Sequence, residues 1–172
     1  VMKEITNILI AGLGGQGVLT ASDLLAFSAF EFGFDVKKSE IKGMSQRGGS
    51  VSSDVRFGKK VWSPMIPPGE ADYLVVLEPT QIEPNLYMLK EDGLLITPQD
   101  INVDKLPDKK LVNTAILGGL STYLPMSEEA WFKAMSKIFS GEKLEKNKIA
   151  FIIGRDTFFR MPNRLTVKNN QL

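Results

Sequence analysis

Asn7-Ile8-Leu9-Ile10-Ala11-Gly12-Leu13-Gly14-Gly15-Gln16-Gly17-Val18-Leu19-Thr20 is the stretch from which the fold is read. The apolar run Ile8 to Ala11, closed by glycines, has the pattern of a strand buried on both faces. Beyond the turn, Val18, Leu19, Leu24, Leu25, Phe27 and Phe30 recur around most of a helical circumference. They predict a helix over 15–32, with Gly33 as its stop. Gly12, Gly14 and Gly17 fit G-x-G-x-x-G. In that spacing the glycines permit a tight turn, a close approach of backbone to a phosphate, and close packing of helix on strand. The first N–H groups of the helix lack internal partners and sit at the positive end of its dipole, so they favour an anion. Gly15 and the Gln16 amide add candidate donors. The same glycines would also serve a turn that only lets strand and helix pack.

Working outward, Phe34 to Lys38 read as a second strand, which completes half of a doubly wound unit. Residues 50–57 alternate, with Val51, Ser53, Val55 and Phe57 on one face. Gly58-Lys59 is then expected to turn a hairpin into Val61-Trp62. Trp62 and Met65 are assigned to the core or to an interface. Tyr73 to Leu77 reads as a central strand, ended by Glu78-Pro79 at the carboxyl edge where α/β sheets bind ligands. Glu78 itself reads as a solvated turn carboxylate. A helix is expected over 79–90, shortened or kinked by Pro84, then a strand over 93–97 and a short one over 110–112. Residues 113–124 suit a helix that packs closely at Gly118-Gly119, with Asn113 as its cap. Ser127 caps a further helix whose Trp131, Phe132, Met135, Ile138 and Phe139 share a face, with Gly141 as its stop. Residues 142–159 favour a helix, and about the last ten residues are expected to be loose or partner-bound. The fold class is therefore α/β and Rossmann-like, in one domain over residues 1–172: a mostly parallel sheet with helices on both faces and an antiparallel hairpin insertion near residues 50–62.

Among the 172 residues there is no cysteine and no histidine. This chain can supply no disulfide, thiolate nucleophile or cysteine-ligated iron–sulfur cluster, and no imidazole base. No clustered carboxylates suggest a metal site, and no residue reads as a general acid, base or nucleophile, so catalytic and metal residues are expected to be none. Net charge is +1, which gives no bulk drive toward nucleic acid or membrane. No apolar run approaches a membrane span, Lys3 and Glu4 precede only a short apolar run, and the chain is expected to be cytoplasmic. The charge is uneven: Lys37 to Lys60 holds seven basic and two acidic residues, net +5. This segment reads as a solvated face or as an anion-binding lobe near the glycine turn.

Three stretches together resemble one family: Gly12-Leu13-Gly14-Gly15-Gln16-Gly17-Val18, Gly43-Met44-Ser45-Gln46-Arg47-Gly48-Gly49-Ser50-Val51, and Asn113-Thr114-Ala115-Ile116-Leu117-Gly118. The chain is similar to the gamma-type subunit or domain of 2-oxoacid:ferredoxin oxidoreductases. The Met-Ser-Gln-Arg-Gly-Gly-Ser form is most similar to the indolepyruvate ferredoxin oxidoreductase beta subunit. The resemblance implies a place in a complex that decarboxylates a 2-oxoacid, forms an acyl-CoA and passes electrons to ferredoxin. It implies thiamine diphosphate, Mg and Fe-S clusters on partner subunits, with coenzyme A contacts on this chain. The candidate cofactor-binding residues are Gly12, Gly14, Gly15, Gln16, Gly17, Ser45, Gln46, Arg47 and Gly48.

The residues agree with that implication. A helix N-terminus suits the pyrophosphate of coenzyme A, and Arg47, Lys37, Lys38 or Lys42 could meet its 3′-phosphate. An NAD site calls for an acidic residue at the end of the second strand, where Lys37-Lys38-Ser39 stands, followed by Glu40. Two rival readings remain: a freestanding NAD(P)-binding oxidoreductase, supported by the glycine turn alone, and a purely structural subunit with no nucleotide site. The sequence leaves open whether the isolated chain forms a homodimer, which an exposed partner surface would favour.

Overall fold

The computed structural model describes residues 4–42 and 48–160. Among these residues, five strands form one sheet: β1 (Ile5–Leu13), β2 (Asp35–Lys42), β3 (Ser50–Gly58), β4 (Ala71–Val76) and β5 (Leu89–Ile96), in the spatial order β2-β3-β1-β4-β5. β1 pairs in parallel with β4, and β4 with β5. β3 lies antiparallel between β1 and β2. The fold is α/β, as expected, but the sheet is mixed rather than mostly parallel, because β3 pairs antiparallel with both of its neighbours.

Alternation along the strands divides the core in two. Ile8, Ile10, Val55, Phe57, Val75 and Ile96 face the long helices α1 (Val18–Phe32), α3 (Val112–Ser121), α4 (Glu128–Ile138) and α5 (Gly141–Phe159). Leu9, Leu74 and Val76 face Ile66 and Met88 on the other side. That side is covered by residues 61–70 and by three single-turn helices, Pro79–Gln81, α2 (Ile82–Asn85) and Leu86–Met88.

Four expectations about single elements are corrected. There is no hairpin from Gly58 into Val61-Trp62: β3 is an interior strand, in register with β1 from Ile5↔Gly58 to Leu13↔Ser50. Prolines 64, 67 and 68 make the following segment unfit to carry a ladder, and it runs across the sheet instead. The helix expected over 79–90 is broken into single turns around Pro84, and β5 begins already at Leu89. Lys109–Leu111 is a 3₁₀ turn rather than a strand, because the Asp108 carboxylate accepts the Lys110 N–H at 2.9 Å. Gly141 does not end α4: Phe139 and Ser140 are extended, and Gly141, at φ +56°, opens α5.

The Ser127 cap is as expected, with its hydroxyl accepting from the Ala130 N–H. So is the close packing at Gly118. A Cβ there would stand 2.0 Å from the Phe151 carbonyl oxygen, and one at Gly154 would stand 1.8 Å from that of Ala115. α3 and α5 thus cross backbone to backbone, which fixes where α3 begins relative to the glycine turn.

Candidate functional site

β1 delivers the chain to Leu13, and a tight turn follows in which the Gln16 N–H donates to the Leu13 carbonyl at 3.1 Å. Gly15 and Gly17 have φ of +85° and +82°, the left-handed region that L side chains disfavour. Gly17 is the N-cap of α1. No side chain caps this end, and the first turn holds no acidic residue. The leading N–H groups and the positive end of the dipole are therefore not capped by a carboxylate of the turn or the first helical turn. Gly12 is tight for another reason: a Cβ there would stand 2.9 Å from Val18 Cγ2 and 3.1 Å from Gln16 Oε1.

Three distant segments meet at this turn. The Gly14 N–H donates to the Gly49 carbonyl at 2.9 Å, and a Cβ on Gly14 would come within 3.3 Å of the Gly48 nitrogen. From the opposite side, Asn113 Nδ2 donates to the Gln16 carbonyl at 2.6 Å. Gln16 Oε1 accepts the Leu13 N–H at 2.7 Å, and its Nε2 donates to Glu78 Oε2 at 3.1 Å. Gln16 is thus a brace within the turn, and its amide is already engaged. Glu78 is the other end of that brace and also accepts from the Thr80 N–H, so it is not the idle turn carboxylate that its position suggests. Asn113 does not cap α3: its amide reaches across 97 positions to the turn.

Two cavities flank the turn. One, of about 530 Å³, lies between the turn, α1, α3 and α5, and Gly15, Gly17 and Thr20 face Lys110, Lys143 and Lys146 across it. Asp108 and Glu142 share its wall, and Glu142 pairs with Lys146 at 2.6 Å. No carboxylate lies within ion-pair distance of Lys110 or Lys143 among the described residues. The other cavity, of about 460 Å³, is lined by Leu13, Gly14, Val18, Lys42 and Val51.

The basic segment is dispersed by strand alternation. Lys38 points toward α1 and binds Asp23 at 2.5 Å, Glu40 at 2.8 Å and Ser22 at 3.2 Å. Burial disfavours its charge, but the bonds to Asp23 and Glu40 outweigh this and hold its pKa above the usual lysine value. Lys37 shares the opposite face with Asp35, away from α1. Of the three lysines only Lys42 lies beside the turn. Gly48, at φ +91°, is in place next to Gly14, whereas Ser45, Gln46 and Arg47 lie outside the described residues. No group of three or more acidic residues suited to a metal ion occurs among the described residues.

The lysines of the larger cavity escaped the sequence reading. Lys143 and Lys146 look like the solvated lead-in of a helix, and nothing local places them beside residues 15–20. Asn113 had one signal, its membership in the third family-like stretch.

A mixed sheet whose first strand ends in a glycine turn, braced from a second loop and from a later helix, places the chain in the α/β class. A match to the pyruvate ferredoxin/flavodoxin oxidoreductase family covers residues 7–157, and the chain belongs to that family. It is 39% identical over 148 residues to the indolepyruvate oxidoreductase subunit IorB of Pyrococcus horikoshii, covering 83% of this chain and 68% of that one. It is 30% identical over 167 residues to the pyruvate/ketoisovalerate oxidoreductases common subunit gamma of Pyrococcus abyssi, covering 82% and 90%. In fold it matches the gamma subunit of a keto/oxoacid ferredoxin oxidoreductase from Geobacter sulfurreducens, with a TM-score of 0.76 at 24% identity over 90% of this chain and 99% of that one. It also matches 2-oxoglutarate:ferredoxin oxidoreductase from Magnetococcus marinus, solved with 2-oxoglutarate, coenzyme A and succinyl-CoA bound, with a TM-score of 0.80 at 19% identity. There it covers 92% of this chain and 32% of the larger one. No helix among the described residues is long and apolar enough to cross a membrane.

Proposed function

We propose that this chain is the gamma-type subunit of a cytoplasmic, thiamine-dependent 2-oxoacid:ferredoxin oxidoreductase, indolepyruvate-type by its relatives, and that its glycine-turn edge holds part of coenzyme A. The observation that carries this reading is the convergence of all three family-like stretches on one edge, through Gly14 to Gly49 and Asn113 to Gln16. The donor set fits a phosphorylated ligand: an uncapped helix N-terminus, no first-turn acid, and lysines across the adjoining cavity. The set does not fit the redox groups. Without cysteine the chain cannot ligate a cluster, and it lacks a Gly-Asp-Gly…Asn thiamine signature, so both belong on partner subunits. Coenzyme A, when bound, supplies the thiol that takes the acyl group. This chain's part is to hold its phosphates at the Gly15–Gly17 turn, with Gly12, Gly14 and Gly48 shaping the turn; Ser45, Gln46 and Arg47 join the set on the family resemblance alone.

The test is reconstitution with the thiamine- and cluster-bearing subunits. The chain alone is expected to leave the 2-oxoacid untouched, and the assembled enzyme to reduce ferredoxin. Gly14→Val, which pushes on Gly48, is expected to raise the KM for coenzyme A about tenfold with the complex still assembling. An unchanged KM in an intact complex would leave a structural subunit. Turnover by the isolated chain with NADH or NADPH would leave the freestanding oxidoreductase.

A further inference from the structure

Residues 61–70 cross the outer face of the sheet as a strap, and the sheet ties it down repeatedly. Asp35 Oδ2 accepts the Val61 N–H at 2.8 Å, and Asp54 Oδ2 accepts the Ile66 N–H at 2.9 Å. Arg56 Nη1 donates to the carbonyls of Ser63, at 2.8 Å, and Met65, at 3.0 Å, while its Nε donates to Asn7 Oδ1 at 2.9 Å. Asn7 Nδ2 in turn donates to the Glu70 carbonyl at 3.0 Å. Val61 and Ile66 plug the strap into the core at 0% and 4% exposure, and Pro64, Pro67 and Pro68 stiffen it. Yet the same strap holds Trp62 at 83% exposure and Met65 at 57%. On the adjoining edge strand β2, Ile41 is 51% exposed, on the face that also carries Asp35 and Lys37. A large aromatic held out on a pre-ordered backbone needs little further ordering to bind, and Trp is the residue type most enriched among binding hot spots.

The rim of this patch is basic. Lys59 and Lys60 are exposed, Lys60 lies 5.1 Å from the centre of the Trp62 ring, and Lys37 stands on the same face. Of the carboxylates around the strap, Asp35 is engaged with the Val61 N–H and Lys60, and Asp54 with the Ile66 N–H, while Glu70 stands exposed at the strap's far end, eight positions from Trp62. Two copies of this chain joined through the patch would set these lysines against each other, a like-charge contact that costs affinity. We infer that the Trp62–Met65 strap is the docking surface for a different chain, a subunit of the same complex that offers an apolar recess ringed by carboxylates. This rests on the subunit role proposed above.

The test uses the full chain and the purified thiamine-bearing subunit of the complex. Trp62→Ser and Met65→Ser alter side chains outside the core, and a circular dichroism melt matching wild type certifies the fold. Together they are expected to weaken association at least tenfold, and Lys59→Glu with Lys60→Glu to weaken it further and flatten its salt dependence. Hydrogen exchange at Val61–Glu70 should slow on assembly. An unchanged Kd with no added protection of the strap overturns the docking surface and leaves the subunit role intact. Failure of the wild-type chain to bind any oxidoreductase subunit overturns the subunit role. Dimerisation of the free chain that is lost in Trp62→Ser overturns the choice of a different chain as occupant.

Discussion

Gly17 carries two constraints that can be measured apart. Its φ of +82° is costly for any L side chain, and a Cβ there would also meet Asn113 Nδ2 at 3.2 Å. Gly33, the C-cap of α1, has φ +104° with nothing within 4 Å, so it carries the backbone constraint alone. Gly33→Ala is expected to cost about 1 kcal/mol, and Gly17→Ala about 2 kcal/mol because Asn113 must also yield. Urea unfolding of both variants reads the difference, and equal costs would show that Asn113 does not press on the turn. Asp54 sets a pH dependence of opposite sign to the usual carboxylate. Burial raises its pKa, against the lowering effects of the Ile66 N–H and of Arg56. Between the ordinary Asp value and the raised one the folded chain holds more protons than the unfolded chain, so stability falls as pH rises through that window, and the cost is complete above it. Asp54→Asn keeps an acceptor for Ile66 and should flatten this slope. If the wild-type slope persists in Asp54→Asn, the dependence comes from another group. Asp35 behaves in the ordinary sense: the Val61 N–H lowers its pKa, so its contribution is present above the ordinary value and is lost only as pH falls below it.

The crossing of α3 and α5 orders three glycines by what their absent side chains would strike. At Gly118 and Gly154 the obstacle is a backbone carbonyl, at 2.0 and 1.8 Å, and only separation of the helices relieves it. At Gly119 it is the Phe158 ring at 2.5 Å, which is buried at 2% exposure but, as a side chain, can yield further than a backbone carbonyl. Gly118→Ala and Gly154→Ala are each expected to cost about 3 kcal/mol. Gly119→Ala should cost less, about 1–2 kcal/mol, since the gain in helix propensity offsets part of the crowding. Denaturant midpoints that failed to separate Gly119→Ala from the other two would refute this geometry. Elements with one dominant pattern were legible in the sequence: β1 from its apolar run, α1 between its glycines, α4 from Ser127 and its apolar stripe. Elements whose pattern has two physical solutions were not. The alternation in 50–57 records that one face is buried and says nothing of neighbours, so an interior antiparallel strand looked like a hairpin arm. Ile82, Leu86 and Leu89 suit a helix by spacing, yet single turns around Pro84 followed by the start of β5 bury apolar residues there equally well.

Across the whole molecule, what the sequence could not show is which residues the fold gathers at one edge. The net charge of +5 between Lys37 and Lys60 looks like one lobe, but the sheet sends Lys38 to Asp23 and Glu40, Lys37 to the strap face, and only Lys42 to the glycine turn. The cations that do face the turn across the larger cavity come from more than ninety residues away, on the turn before α3 and on α5. That arrangement separates two roles that charge alone would confuse. Lys110 and Lys143 have no carboxylate at ion-pair distance among the described residues, so they are free to meet a phosphate, whereas Lys38 is held by two carboxylates. In the assembled enzyme, Lys110→Gln with Lys143→Gln is expected to raise the KM for coenzyme A about tenfold with kcat nearly unchanged, the mark of binding lost equally from ground and transition states. Lys38→Gln should instead leave that KM unchanged and lower the thermal midpoint, because it strands Asp23 and Glu40 beside one another. Steady-state kinetics with coenzyme A varied at saturating 2-oxoacid distinguishes the two. A KM that responds to Lys42→Gln and not to the Lys110–Lys143 pair would place the phosphates on the β3 side of the turn, in the smaller cavity next to Gly48.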